Sequence, residues 1–329
     1  DERNLNTGAR AVVRVKGDEH YYLFRFDAEP IRTWRISQAT LHLKLARGRL
    51  RRAALSTVPA GWVEGTAPGT PQRGAACFTH ARYGEAPWTA DGGTMLDATF
   101  NSPHMAWRPA EVRVEGEWMR IAVAPELVQA VAVGLSDGLV LAEETGQTRE
   151  NHDVFTREQA LARPYVTVEG GPVAAPAGRP DDFAAEPFEH AADLRAGAII
   201  VRVPLAAGKL DPPPVGARVT VRRDGQTVRQ AVTLADPEVV IEGLQPQAEH
   251  DVTVEVFAGP ERFVLGPLAV AASPARPAPA APAPQVPPPL PAVHAAGAWR
   301  IELLAAATKA PPSAAAPARP DAAIPLPVT

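Results

Sequence analysis

Apolar and polar residues alternate along many short segments of the first 170 residues, and this period of two restricts the fold to β-strands. In the clearest segment Leu41, Leu43 and Leu45 share one face, while His42 and Lys44 take the other. Such alternation predicts strands with one buried and one solvated face. Similar segments recur about eight times, which is the number of strands in a jelly roll. We therefore predict an all-β, jelly-roll-like sandwich over residues 1–170.

A second set of alternating segments follows between residues 188 and 272. Two of them are joined by Asp224-Gly225, which is the strongest short signal for a β-hairpin. About six or seven short strands in so short a stretch predict a smaller sandwich. Residues 171–187 are rich in proline and lack periodicity, so they are predicted to be a linker. Each sandwich is then expected to have its own apolar interior.

Proline and alanine dominate the end of the chain. The 36 prolines are about twice the usual share of about 5%, and many of them follow residue 273. Residues 273–329 are therefore predicted to form an extended Pro/Ala-rich segment that spaces or tethers. One short ordered island is expected near residues 298–304.

Charge and cysteine content narrow the class of protein. A formal net charge of -4 argues against a nucleic-acid partner or an anionic membrane surface. Cys77 is the only cysteine, so no intrachain disulfide is expected. No run of residues has the length and apolar character of a membrane span. The sequence starts at Asp1 rather than Met, as a processed segment of an exported precursor would.

Several short pieces occur in a fixed order through the first 170 residues. They lie at residues 5–8, 23–27, 36–45, 62–66 and 156–165. In this order and spacing the segment resembles the DNRLRE-type domain family, β-sandwiches that are grouped with carbohydrate-binding modules. The hexapeptide that names the family is absent. The resemblance implies an extracellular or cell-surface protein whose first domain binds polysaccharide or another cell-surface glycan.

The second sandwich carries Leu244 and Pro246 shortly before His250 and an alternating strand at residues 250–254. Because of this Leu-x-Pro sequence before a strand, the segment resembles a fibronectin type III module. In that family a tyrosine stands where this chain has His250. The resemblance implies a non-catalytic spacer in an exported multidomain protein. The partners it implies are other domains, or copies of the same surface protein.

Sugar sites on β-sandwiches need flat aromatic faces and polar groups that bind hydroxyls. Residues 64–107 form a long irregular stretch of the kind that is usually functional or inserted. Its aromatic and polar side chains are the carbohydrate-binding candidates, with the alternative that the aromatics only hold the loop on the sandwich. Trp34 and Trp118 lie beside strand patterns and are predicted to be core. The candidates are Tyr83, Trp88, Trp107, Arg82, Arg108 and His104.

Acidic residues near the end of the first sandwich give three further predictions. Glu144 and Asp153 are candidate ligands for a structural calcium ion, which takes oxygen ligands. The same carboxylates would be needed if the chain degraded a polysaccharide. Arg157 and Glu158 are a candidate structural ion pair. The alternative is that these side chains are simply solvated.

No nucleophile motif, phosphate-binding glycine loop, dinucleotide motif or metal-ligand spacing of histidines occurs in the sequence. We therefore predict that the chain is not an enzyme and needs no cofactor beyond a structural calcium ion. The leading hypothesis is a polysaccharide-binding segment of a surface protein. The alternatives are a purely structural or adhesive spacer, and an accessory part of a polysaccharide-degrading enzyme.

Overall fold

The computed structural model describes residues 2–100, 103–144, 151–189, 196–205, 210–275 and 323–328. These residues form two β-sandwiches, which confirms the predicted all-β class. Two short helices are α1 (Met95–Phe100) and α2 (Pro125–Ala132). The strands are β1 (Val12–Val15), β2 (Tyr22–Phe24), β3 (Trp34–Arg47), β4 (Ala53–Thr57), β5 (His80–Arg82), β6 (Ala86–Pro87), β7 (Trp107–Ala110), β8 (Val112–Glu115), β9 (Trp118–Val123), β10 (Leu139–Glu143), β11 (His152–Phe155), β12 (Tyr165–Pro172), β13 (Ala184–Pro187), β14 (Ile199–Arg202), β15 (Gly216–Arg223), β16 (Gln226–Thr233), β17 (Glu238–Ile241), β18 (Glu249–Ala258), β19 (Glu261–Ala271) and β20 (Ala323–Pro327).

Two antiparallel sheets make up the first sandwich. The large sheet has the order β1-β11-β3-β12-β20, with β9 beside β3 and β8 beside β9. The small sheet has the order β2-β10-β4-β7. The fourteen residues of β3 are long enough to pair with β11, β9 and β12 in turn. This one strand therefore organises most of the large sheet.

The core of the first sandwich fills the space between these sheets. Alternation along β9 buries Met119, Ile121 and Val123, while the residues between them face outward. Leu139 and Leu141 of β10 enter the same core from the small sheet. Helix α2 begins at Pro125, because proline tolerates the first helical position. Its apolar face closes the core beside β3.

The second sandwich pairs a sheet of three strands with a sheet of four. The orders are β13-β14-β17 and β16-β15-β18-β19. This three-plus-four antiparallel arrangement bears out the fibronectin type III-like prediction. The β15–β16 hairpin turns at Asp224 and Gly225, whose φ angles are 51° and 77°. Positive φ at both positions is what a type I′ turn requires, and this explains the Asp-Gly sequence.

His250 replaces the corner tyrosine at the start of β18. The side chain is buried, and Nδ1–H donates to the carbonyl oxygen of Ala248 at 2.8 Å. A corner tyrosine uses its hydroxyl for the same kind of bond to a nearby upstream carbonyl. Burial lowers the pKa of His250, so the neutral ring is the form that fits.

The two sandwiches are in direct contact through apolar side chains. The core of the first sandwich continues to Val232, Leu234 and Phe257 on the four-stranded sheet of the second. Arg218 lies over the Phe257 ring at 5.4 Å and donates to the carbonyl oxygen of Leu135 at 2.6 Å. The second sandwich nevertheless keeps a core of its own between its two sheets. The expectation of two fully separate interiors is therefore wrong at this contact.

A polar contact joins the sandwiches at a second place. The amide of Val232 donates to the carbonyl oxygen of Pro103 at 2.9 Å. Arg229 forms an ion pair with Asp91 at 3.0 Å. Backbone and charged contacts therefore reinforce the apolar contact, so that the two sandwiches share an interface rather than only a linker.

The linker and the tail differ from their predictions in detail. Strand β12 runs to Pro172, and β13 begins at Ala184, so both ends of the predicted 171–187 linker belong to sheets. At the other end of the chain, β20 pairs with β12 and so belongs to the first sandwich. The expectation that residues 273–329 only space or tether is therefore incomplete. The island predicted near 298–304 lies outside the described residues.

Candidate functional site

The long irregular stretch after β4 folds back over the outer face of the small sheet. Val58, Trp62, Met95 and Met105 form a second apolar cluster there with Val140 of β10. Val140 points away from Leu139 and Leu141, which face the main core. All five residues of β10 are buried as a result, since both faces of the strand are covered.

Two of the carbohydrate-binding candidates lie inside the protein. Trp88 is 1% exposed, and its indole N–H donates to the carbonyl oxygen of Cys77 at 2.8 Å. His104 is 5% exposed, and its Nδ1–H donates to Gln230 of the second sandwich at 2.6 Å. A sugar ring needs an exposed aromatic face. Trp88 therefore holds the loop on the sheet, which is the alternative that the sequence left open. His104 lies in the interface between the two sandwiches.

The other four candidates divide into two pairs. Tyr83 is half-buried and meets the His80 ring edge-on at 5.5 Å, while Arg82 beside it is exposed. Trp107 is half-buried and contacts the Tyr21 ring at 6.5 Å. Arg108 forms an ion pair with Glu126 at 2.8 Å. Among the described residues no ring contact joins Tyr83 to Trp107, so these four side chains do not form one stacking platform.

The two acidic candidates near β11 have different surroundings. Glu144 is exposed, while Asp153 forms an ion pair with Arg14 at 3.1 Å. Within residues 2–100, 103–144 and the later described ranges, no group of three or more His, Cys, Asp or Glu side chains could hold a metal ion. A calcium ion at Asp153 would therefore have to replace Arg14, and its binding stays a prediction.

Arg157 has two acidic neighbours. Its guanidinium lies 3.2 Å from Glu158 and 2.7 Å from Glu64. Burial raises the pKa of Glu64, and the positive charge of Arg157 opposes that rise. The contact with Glu64 joins the end of the first sandwich to the start of the long loop, which the sequence does not predict.

A compact group of aromatic rings lies on the outer face of the large sheet. Register places Trp118 opposite Lys44, and His42 opposite Tyr165. The His42 and Tyr165 rings stack with their centroids 4.2 Å apart and an interplanar angle of 6°. Trp118 meets the Tyr165 ring edge-on at 5.8 Å. We call Trp118, Tyr165 and His42 the outer aromatic cluster.

The outer aromatic cluster lies on the solvent side of the sandwich. Its residues alternate along their strands with core residues such as Met119 and Val166, so they point away from the interior. Trp118 and Tyr165 stay partly exposed, whereas His42 is largely covered by its neighbours. The prediction that Trp118 belongs to the core is therefore wrong.

Polar groups surround the outer aromatic cluster. His42 Nε2 lies 2.9 Å from the Thr167 hydroxyl. Burial, helped by the positive charge of Arg120, lowers the pKa of His42, so the ring is neutral at physiological pH. Lys44 forms an ion pair with Glu117 at 2.9 Å. The rings are therefore bordered by hydroxyl and charged groups, which is the mixture that sugar recognition uses.

A cleft of about 300 Å³ lies between the sandwiches. Trp34 of β3 and Glu126 of α2 line one side, and three successive prolines at residues 212–214 line the other. Glu126 is already paired with Arg108, and the Gln129 side chain accepts the amide of Ile36 at 3.1 Å. Glu126 and Gln129 are thus both engaged within the protein.

No protein-family model and no curated protein matches the chain, so the DNRLRE resemblance stays a prediction. A human fibronectin type III domain solved in solution is 16% identical with a TM-score of 0.21, over 30% of this chain and 80% of that chain. The FN1–FN3 domains of chicken CNTN1 are 12% identical with a TM-score of 0.23, over 48% of this chain and 50% of that chain.

Similarities this low carry no argument about the fold or the function of this chain. None of the helices in the described residues has the length and apolar character that a membrane crossing requires.

Proposed function

We propose that this chain is a non-catalytic binding module of an exported or cell-surface protein, and that the outer aromatic cluster binds a polysaccharide. The observation that carries the proposal is the position of three contacting rings on the solvated face of a sheet. The core does not need these rings, because the alternate residues of the same strands fill it. Partly exposed, adjoining aromatic residues are typical of ligand sites.

The chemistry of the cluster fits a sugar better than an apolar ligand. Pyranose rings present C–H faces that stack on aromatic rings, and their hydroxyls need donors and acceptors at the margin. Thr167, Arg120 and the Lys44–Glu117 pair stand at that margin. A neutral His42 can stack without repelling an electropositive C–H face. The cluster spans β9, β3 and β12, so a linear polysaccharide would run across the strands.

Affinity electrophoresis in gels that contain soluble neutral and acidic polysaccharides tests this proposal. We expect at least one polysaccharide to retard the wild-type chain. Trp118→Ala should weaken the binding by about tenfold, since an aromatic contact contributes about 1 kcal/mol or more. Trp107→Ala is the matched control, because it removes a half-buried tryptophan outside the outer aromatic cluster, at the end of the irregular stretch 64–107. It should leave binding unchanged. The proposal fails if no polysaccharide retards the chain, or if Trp107→Ala alone abolishes retardation.

A second function, a structural or adhesive spacer, is favoured by the interface between the sandwiches. Apolar contacts, backbone hydrogen bonds and the Arg229–Asp91 ion pair hold the two sandwiches together. Such a pair would transmit tension as one body instead of bending at a linker. Small-angle X-ray scattering of Arg218→Ala and Arg229→Ala variants tests this role. A spacer function predicts a wider range of sizes in these variants, with polysaccharide binding unchanged.

A further inference from the structure

The last strand of the chain completes an edge of the first sandwich from a great distance in sequence. Strand β20 pairs antiparallel with β12, with Leu326 opposite Val166 and Pro325 opposite Thr167. Leu326 and Val328 are each 4% exposed and belong to the core of the first sandwich. The strand therefore contributes both a backbone ladder and buried side chains to a sheet made from the first half of the chain.

The prolines of β20 suit an edge strand. The Val328 amide donates to the carbonyl oxygen of Pro164, so the amides two and four residues earlier also point toward β12. Pro325 and Pro327 fall on the alternate positions, whose amides would point away from β12. Proline has no amide hydrogen, so the outer edge of β20 offers fewer donors to another strand. The alternation Ile324-x-Leu326-x-Val328 fits this edge with little loss of hydrogen bonds.

The edge that receives β20 would otherwise be open. Strand β12 pairs with β3 along its other side, and nothing else among the described residues pairs with this side. Alternate Val166 and Val168 side chains reach the core from β12. An open edge of this kind is a template for an added strand from any chain that carries the complementary pattern.

The connection to β20 is long enough to reach a neighbouring molecule. The last residue described before β20 is residue 275, and β20 begins at Ala323. Any chain as long as residues 276–322 can reach at most roughly 160 Å, at about 3.3–3.6 Å per residue. The contacts that β20 makes are the same whether it comes from its own chain or another. The choice is therefore set by the effective concentration of the tethered strand.

We infer that the β12 edge is a strand-accepting site and that β20 of a second copy of this chain can occupy it. Chains would then be linked by exchange of their last strands, as in domain swapping. The site would recognise an extended apolar segment through backbone hydrogen bonds and through the pockets filled by Leu326 and Val328. The inference does not rest on the proposed polysaccharide binding, although β20 places Pro327 opposite Tyr165 of the outer aromatic cluster.

Disulfide trapping with the full-length chain tests the inference. All variants carry Cys77→Ser, so that only the introduced thiols react. Thr167→Cys and Pro325→Cys are made in separate chains, because these residues face each other as a non-hydrogen-bonded pair, in which side chains are closest. After equal amounts are mixed and oxidised, we expect a disulfide-linked dimer whose yield rises with chain concentration.

Two controls make the result decisive. Glu158→Cys, an exposed position, replaces Thr167→Cys to measure random collisions, and the true pair should give about tenfold more dimer. Adding Leu326→Asp to the Pro325→Cys chain should remove the excess. A chain with both cysteines should cross-link internally at high dilution. If the mixed chains form no more dimer than the collision control, exchange is refuted. If the double variant does not cross-link either, the assignment of β20 to this edge is wrong as well.

Discussion

Asn6 offers the sharpest test of how the long loop is held on the small sheet. Its side chain is 3% exposed and lies between the start of the chain and the loop. The amide group donates to the carbonyl oxygens of Glu64 and Ala76, the latter at 2.9 Å. Its oxygen accepts the amides of Gly8 at 3.2 Å and Ala67 at 3.1 Å. The substitution Asn6→Ala would remove all four hydrogen bonds at once.

The magnitude follows from these four contacts. A typical intramolecular hydrogen bond contributes about 1 kcal/mol net, and a buried group left without a partner costs more. We therefore expect Asn6→Ala to lower the free energy of unfolding by about 4 kcal/mol. The Asn6→Asp variant keeps the two acceptor contacts but sets a carboxylate against the carbonyl oxygens of Glu64 and Ala76. It should lose about 2 kcal/mol or more at pH 7, since both donated bonds disappear.

Urea unfolding followed by tryptophan fluorescence measures these changes. Asn4→Ala is the matched control, because within the described part of the chain the Asn4 side chain takes part in one hydrogen bond, from the Thr79 hydroxyl at 2.6 Å. It should cost about 1 kcal/mol. Limited proteolysis should also cut the loop between residues 64 and 76 faster in Asn6→Ala than in wild type. If Asn6→Ala costs no more than Asn4→Ala, the loop is not held by this side chain.

Three further predictions concern pH, the interface and a buried ionisable pair. Burial lowers the pKa of His104 and of His250, so below the ordinary pKa of about 6.5 the unfolded chain binds protons that the folded chain does not bind. The free energy of unfolding should therefore have its full value above that pH and should fall as the pH drops toward 5. A urea midpoint that does not change with pH would contradict this prediction. Leu135 is 1% exposed at the contact between the sandwiches, so Leu135→Ala should cost about 2–4 kcal/mol in thermal melting, whereas a shift near zero would argue against a continuous apolar contact. The Arg49 amide donates to His152 Nδ1, so the ring proton lies on Nε2, which is 3.3 Å from Glu143 but is not aligned for a hydrogen bond. The Glu143 carboxylate also accepts the Gly17 amide at 3.1 Å. Glu143→Gln removes the negative charge that strengthens these contacts and should cost about 1–3 kcal/mol in urea unfolding, and an unchanged midpoint would show that the charge is not stabilising.

Local sequence patterns predicted the strands that bury only one face, and the hairpin turn. Alternation at Leu41, Leu43 and Leu45 located β3, because only one face of that strand meets the core. The turn at Asp224-Gly225 was predictable since few residues adopt positive φ easily. These features depend on neighbours in sequence, and tertiary contacts do not override them.

The site was less predictable, because it depends on which face of a sheet is covered. The prediction that Trp88 could present an exposed face to a sugar was wrong. An irregular loop has no periodic pattern of apolar residues that would show whether it folds back on a sheet. One signal was available: residues 139–142 are continuously apolar, which is typical of a strand covered on both faces. A second was the alternation of Trp118 with Met119 and Ile121, which places Trp118 on the outer face together with Arg120.

The role of the tail was hidden for a different reason. The apolar alternation that ends in Leu326 and Val328 is interrupted by prolines, and proline normally argues against a strand. Inside a strand without a bulge, proline is tolerated where its missing amide faces outward at the edge of a sheet. That condition depends on pairing with β12, which is remote in sequence, so composition alone favoured a spacer.

The most direct test of ligand recognition by the outer aromatic cluster is a titration followed by NMR of the tryptophan indole N–H groups. A polysaccharide that retards the chain in affinity gels is added stepwise to the ¹⁵N-labelled protein. We expect the Trp118 signal to shift with saturation, while the signals of Trp88 and Trp107 stay in place. Shifts at Trp88 or Trp107 with Trp118 unmoved would show that the long loop, and not the outer face of the large sheet, holds the ligand.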